Sequence, residues 1–140
     1  MTECPLCHPA DETLLWQAEV CRLIRVGDAD YPAYLRVIWK AHKREMSDIE
    51  PAAQRHLLHV VLAAEATLRT LLQPHKINLA SFGNVVPHLH WHIIARDPQD
   101  RHFPEPIWGT PQRDGRPLAV PADRDLTLIF RDLLAEMTAG

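Results

Sequence analysis

The stretch Val85-Val86-Pro87-His88-Leu89-His90-Trp91-His92-Ile93-Ile94 sets three imidazoles in strict alternation with bulky apolar side chains. A period of two marks a half-buried β-strand. The strand predicted over His88 to Ala95 therefore turns His88, His90 and His92 to one face and Leu89, Trp91 and Ile93 to the core. A solvent face is ordinarily filled by Thr, Lys or Glu, and neighbouring imidazoles repel one another once protonated. The pattern makes chemical sense if the imidazoles stay neutral and work on a metal or an anion. In one reading they share a catalytic metal ion. In the other, one neutral imidazole attacks an electrophilic phosphorus while its neighbours handle phosphate oxygens and protons. Gly83-Asn84 just upstream offers exposed backbone N–H groups that suit phosphate, and it would serve equally as a plain turn.

Working outward from that strand, Leu14 to Gln17, Val20 to Val26 and Tyr34 to Trp39 read as strands, with Gly27-Asp28-Ala29-Asp30 and Pro32 in the loop between the second and third. Ser47, Asp48 and Glu50 offer helix-start chemistry, and Pro51 fits a first turn, where a missing N–H costs nothing. A long helix follows. Its stripe of Leu57, Leu58, Val61, Leu62, Leu68, Leu71 and Leu72 runs until Pro74. A further strand is expected at Ile77 to Ser81. A second amphipathic helix, Ala122 to Met137, carries Leu126, Ile129, Phe130, Leu133 and Leu134 on one face. The segment 97–121 holds six prolines and two glycines in 25 residues and little periodicity. Phe103, Ile107 and Trp108 within it favour a loop that packs on something.

The 140 residues are 46% apolar, which supports one core and a single domain spanning 1–140. The longest apolar run, Leu57 to Ala64, is broken by His59 and is far short of the roughly 20 residues of a membrane helix. No charged-then-apolar leader follows Met1, so the protein is expected to be soluble and cytoplasmic. A net charge of −3 gives no broad basic field and argues against nucleic acid or a membrane surface as partner. Three cysteines exclude a fully paired disulfide framework. Cys4-Pro5-Leu6-Cys7 has the spacing of half a zinc site, and it would also suit a redox pair or two ordinary small residues. A redox pair would normally follow a strand and open a helix, whereas this one precedes Pro9. Cys21, inside an alternating run, reads as a buried small apolar residue.

The run His88-Leu89-His90-Trp91-His92-Ile93-Ile94 resembles the defining motif of the histidine triad (HIT) family of nucleotide hydrolases and transferases. The likeness extends in order through Cys4-x-x-Cys7, the strand ending before His42, the long helix, Asn78, Gly83 and the triad. It implies an α+β, HIT-like fold with an antiparallel sheet of about five strands, the long helix packed on it and a C-terminal helix. It further implies a homodimer and a nucleotide substrate. Residues 97–108, from Asp97-Pro98 to Phe103-Pro104-x-Pro106-Ile107-Trp108, are similar to a bacterial branch of small family members.

On this resemblance His90 is the nucleophile toward the α-phosphorus of a nucleoside phosphoramidate or dinucleoside polyphosphate. The His88 carbonyl accepts its Nδ1–H, and His92 holds a phosphate oxygen. Asn78, Gly83 and Asn84 complete the phosphate cradle, and no catalytic metal is required. The resemblance also implies a structural Zn2+ on Cys4, Cys7, His42 and His88, while His8, His56, His59, His75 and His102 read as incidental. Two departures concern the substrate. Val85 stands where relatives commonly carry a phosphate-contacting Ser or Thr, and a ribose-contacting Asp falls nearer Val26, leaving Asp28 or Asp30 to fill the role with a shifted loop. Rival readings are a zinc-stabilised nucleotide-binding or partner-binding module and a metal-dependent hydrolase with the three strand histidines as ligands.

Overall fold

Five short runs, each carrying at least one β-branched or aromatic residue, form strands in the computed structural model, which describes residues 3–138. They are β1 (Thr13–Gln17), β2 (Cys21–Arg25), β3 (Tyr34–Trp39), β4 (Lys76–Ala80) and β5 (His90–Arg96), with helix α1 (Pro51–Leu72) between β3 and β4 and helix α2 (Asp123–Thr138) after β5. The strands make one antiparallel sheet in the order β1-β2-β3-β5-β4. The architecture is α+β, as the sequence pattern predicts.

Both helices lie on one face of the sheet. Leu57, Val61 and Leu68 of α1 and Leu126 and Phe130 of α2 pack with Leu23, Leu35, Val37 and Ile93 at essentially zero exposure. Burying each such side chain stabilises by about 1.5–3 kcal/mol, so this face holds the domain together. Helix α1 starts on Pro51 and stops at Gln73, which takes a left-handed conformation (φ 49°) and donates its N–H to Arg69 O at 3.1 Å, ahead of Pro74. Asp123 in the first turn of α2 accepts from Arg25 of β2 at 2.6 and 3.1 Å, tying the helix N-terminus to the sheet.

The opposite face carries the chemistry. Register places Ile38 beside His90, Arg36 beside His92 and Tyr34 beside Ile94, so these side chains share one surface. That surface is roofed by the N-terminal segment around Leu6 and by the loops holding Tyr31, Val86 and Ile107. One expectation is corrected here: β5 begins at His90, two residues later than the alternation predicts. Pro87 cannot donate to a ladder, His88 N–H turns back to Val86 O at 2.8 Å, and Leu89 N–H is taken by Lys43 O at 2.6 Å. His88 therefore sits in a bend beyond the end of the strand, free to point away from its two neighbours.

Candidate active site and metal centre

His90 projects from the first position of β5 and is buried. Its Nδ1–H donates to the His88 carbonyl at 2.5 Å. A carbonyl can only accept, so the proton is held on Nδ1 and the Nε2 lone pair is left open. Burial holds the imidazole below its usual pKa and the nearby Arg36 charge adds to this, against the opposing pull of the bond to His88. The side chain is thus a neutral, tautomer-locked nitrogen base. Gly83 approaches it closely: a Cβ there would stand 3.7 Å from the His90 ring and only 3.0 Å from Val86 O. Gly83, Asn84, Ser81, Pro87, Arg44 and Glu45 line a cleft of about 400 Å³ against His88, Leu89 and His90. The Ser81 hydroxyl donates to the His90 carbonyl at 3.1 Å.

His92 is held differently. Its Nε2–H donates to the Phe82 carbonyl at 3.2 Å, and its Nδ1 accepts the Tyr34 hydroxyl at 2.5 Å. Both nitrogens are engaged by the protein. Burial, reinforced by His90 and Arg36 and opposed by the Phe82 bond, brings its pKa down to about 4. The Trp108 ring meets His92 edge-on at 4.9 Å and stacks on Phe82 at 4.9 Å with an interplanar angle of 11°. The Pro-rich loop thereby reaches the triad and forms a wall beside it. Asn78 lies on the same face opposite Ile94, four residues along β5 from His90, and its side-chain oxygen accepts from Arg96 at 2.7 Å. It is not brought to the His90 cleft with Gly83 and Asn84. Val85 is 90% exposed.

His88 is committed to a second centre. Its Nε2–H donates to the Trp39 carbonyl at 2.6 Å, which leaves Nδ1 as the lone-pair nitrogen. That nitrogen lies 3.4 Å from each of Cys4 Sγ and Cys7 Sγ and 3.1 Å from His42 Nδ1, while His42 Nδ1 is 3.2 Å from Cys7 Sγ. The thiols face the same way because Cys7 and His8 N–H both fold back onto Cys4 O. All four donors fall within 4.8 Å of one another. A tetrahedral ion with metal–nitrogen and metal–sulfur bonds of about 2.0–2.3 Å needs donor separations of roughly 3.3–3.8 Å. The donor set and its spacing therefore fit a metal ion. Among the described residues this is the one cluster of three or more metal-ligating side chains, and His90 and His92 stand outside it.

Several site residues carry no signal that single-sequence reasoning can use. Tyr34 and Arg36 look like ordinary strand positions, and only the β3–β5 register sets them beside His92. His102 reads as incidental yet is buried, with Nδ1–H donating to the Tyr31 hydroxyl oxygen at 2.7 Å, in a network with Asp100 and Arg96. This network anchors the loop that carries Trp108.

A family model for the HIT domain matches residues 8–99. Among solved structures, a histidine triad protein from Marinobacter aquaeolei is 25% identical, with a TM-score of 0.69 over 91% of this chain and 92% of that one. One from Bradyrhizobium japonicum is 28% identical, with a TM-score of 0.67 over 91% and 90%. A histidine triad family protein from Mycobacterium smegmatis, described as zinc-bound, shares the fold at 18% identity, with a TM-score of 0.59 over 96% and 91%. No curated protein matches the chain. The chain belongs to the histidine triad family. That family consists in general of nucleotide hydrolases and transferases, with some non-catalytic members. No helix among the described residues is long and apolar enough to cross a membrane.

Proposed function

We propose that the protein is a nucleotidyl hydrolase or transferase in which His90 attacks the α-phosphorus of a nucleoside phosphoramidate or dinucleoside polyphosphate. The observation that carries this reading is the His88 carbonyl on His90 Nδ1–H, which leaves a neutral Nε2 lone pair beside a glycine-lined cleft. In the first step a bond forms between Nε2 and phosphorus, and the bond from phosphorus to the leaving nitrogen or oxygen breaks. The leaving group takes the electron pair and a proton from solvent. The positive charge left on the ring is stabilised by the same carbonyl. Water then attacks phosphorus, the phosphorus–nitrogen bond breaks, and the nucleoside monophosphate departs. Gly83 and Asn84 supply backbone N–H groups to the phosphate oxygens. The 3.2 Å bond from His92 to Phe82 lies at the long end of the normal range, so a phosphate oxygen can replace the carbonyl as its acceptor.

A structural Zn2+ on Cys4, Cys7, His42 and His88 belongs to the same reading. Its contribution is to clamp the N-terminal segment to the His88 bend and so fix the carbonyl that orients His90. Activity is expected in the cytoplasm, from a homodimer.

Reaction with a radiolabelled adenylyl donor, quenched during turnover, tests the mechanism. Acid-labile label is expected on wild type and absent from His90→Ala. No label on wild type, or equal label on the variant, refutes covalent catalysis. One observation favours a binding module instead: both His92 nitrogens are already engaged. Nucleotide binding by calorimetry with no turnover would select that reading.

A further inference from the structure

Three arginines project from the histidine-bearing face of the sheet, and two are neutralised within the protein. Arg22 holds Glu12 through Nε at 2.9 Å and Nη2 at 2.7 Å. Arg96 holds Asp100 at 2.8 and 3.1 Å, with Asn78 and the Glu105 carbonyl at 2.7 Å each. Arg36 differs. Its Nη2 reaches only the Tyr34 hydroxyl oxygen at 3.3 Å, its guanidinium carbon lies 5.7 Å from that ring's centre, and its Nε is buried with no hydrogen-bond partner. None of the ion pairs among the described residues includes it.

A guanidinium cannot shed its proton, so a half-buried one without a counter-charge carries a standing desolvation cost. That cost is relieved if the counter-charge arrives with a ligand. The place is informative. Arg36 stands directly beside His92 and diagonally from His90, within the roughly 7–8 Å that diagonal neighbours on a sheet span and that a long side chain bridges. Its charge is felt at both imidazoles. A planar fork in that position matches a phosphate or a carboxylate through two parallel hydrogen bonds.

We propose that Arg36 determines specificity by binding a second anionic group of the donor, distinct from the phosphate that His90 attacks. This rests on the nucleotidyl-transfer reading and deepens it. The shared chemistry is a phosphate or carboxylate oxygen pair, supplied by a polyphosphate chain or by an acidic amine in a phosphoramidate.

The test compares kcat/KM for three adenylyl donors on wild type, Arg36→Leu and Arg36→Lys: a phosphoramidate of a neutral amine, the matched phosphoramidate of an amine bearing a carboxylate, and a dinucleoside polyphosphate. Wild type is expected to favour one or both anionic donors over the neutral one by roughly 10- to 100-fold, the discrimination one charge-assisted contact supplies. Arg36→Leu is expected to erase that ratio, and Arg36→Lys to restore part of it, which also guards against a variant that merely unfolds. The two anionic arms tell a carboxylate from a phosphate. A ratio unchanged in Arg36→Leu overturns the proposal, because Arg36 would then act on the attacked phosphate or on none. If no donor is turned over, the nucleotidyl reading fails separately, and calorimetry with inorganic pyrophosphate decides the anion site. Binding lost in Arg36→Leu upholds it, and equal binding in both proteins refutes it.

Discussion

Asp100→Asn removes one charge from the network that fastens the Pro-rich loop beside the triad. The Asp100 carboxylate accepts from Arg96 Nε and Nη2 at 2.8 and 3.1 Å, from the Tyr31 hydroxyl at 3.1 Å, and from backbone N–H of Asp97, His102 and Phe103 at 3.1, 3.1 and 2.8 Å. Burial pushes this carboxyl up, but Arg96 and the backbone donors more than reverse that and hold it at about 2. Arg96 and Asp100 side chains are only 2% and 4% exposed, so the variant strands a buried cation, at about 3–5 kcal/mol. With an unfolding entropy of about 2.1 cal/mol/K per residue over 140 residues, this lowers Tm by roughly 10–17 °C. Scanning calorimetry measures the shift, and limited trypsin digestion at Arg101 and Arg113 reports release of the loop. The double variant Arg96→Met/Asp100→Asn is expected to recover part of the loss, since it leaves no unpaired charge while the amide oxygen still accepts from the loop's N–H donors. A Tm shift under about 3 °C, with unchanged trypsin cutting, would show that the network does not anchor the loop and would remove the physical basis for a fixed Trp108 wall.

Other expectations concern metal, pH and backbone. Chelation, or Cys4→Ser or His42→Ala, is expected to remove about one metal ion per chain and lower Tm by roughly 10 °C or more, because ligand binding here is folding energy; elemental analysis with melting reads both, and a metal-free protein of unchanged Tm contradicts it. His92 is held at about 4, while an unfolded histidine takes its proton near 6.5. The folded state therefore binds fewer protons between those values, so stability from this group is complete above about pH 6.5 and declines by up to about 3 kcal/mol toward pH 4. Denaturant titration against pH should show a shallower acid slope in His92→Gln, and identical slopes would exclude the effect. Gly115 has φ +88° and a Cβ there would lie 2.7 Å from Arg101 N, so Gly115→Ala is expected to cost at least ~1–2 kcal/mol, read as a lower denaturation midpoint.

The sequence alone determined the elements and the chemistry type. Strand and helix follow from apolar periodicity, and periodicity is local. Stripes such as Leu57, Val61 and Leu68 leave one way to bury a face, and the five strands and two helices occur close to where they are expected. The His-x-His-x-His alternation and the Cys4-x-x-Cys7 spacing are equally local, so the motif and half of the metal-ligating set are readable as text. What lies at long sequence separation was decided by tertiary structure. Whether His88 sits in the strand or beyond it depends on Lys43 competing for Leu89 N–H. That competition sends one histidine to the cysteines and leaves another with a free lone pair. The placing of Tyr34 and Arg36 against His92 depends on which strands pair and in what register, and Trp108 reaches the triad because Asp100, Arg96, Tyr31 and His102 fix a loop that has no periodicity of its own. Hydrogen bonds and ion pairs between residues tens of positions apart leave no repeat in a single chain, and they become visible only when the sheet is assembled.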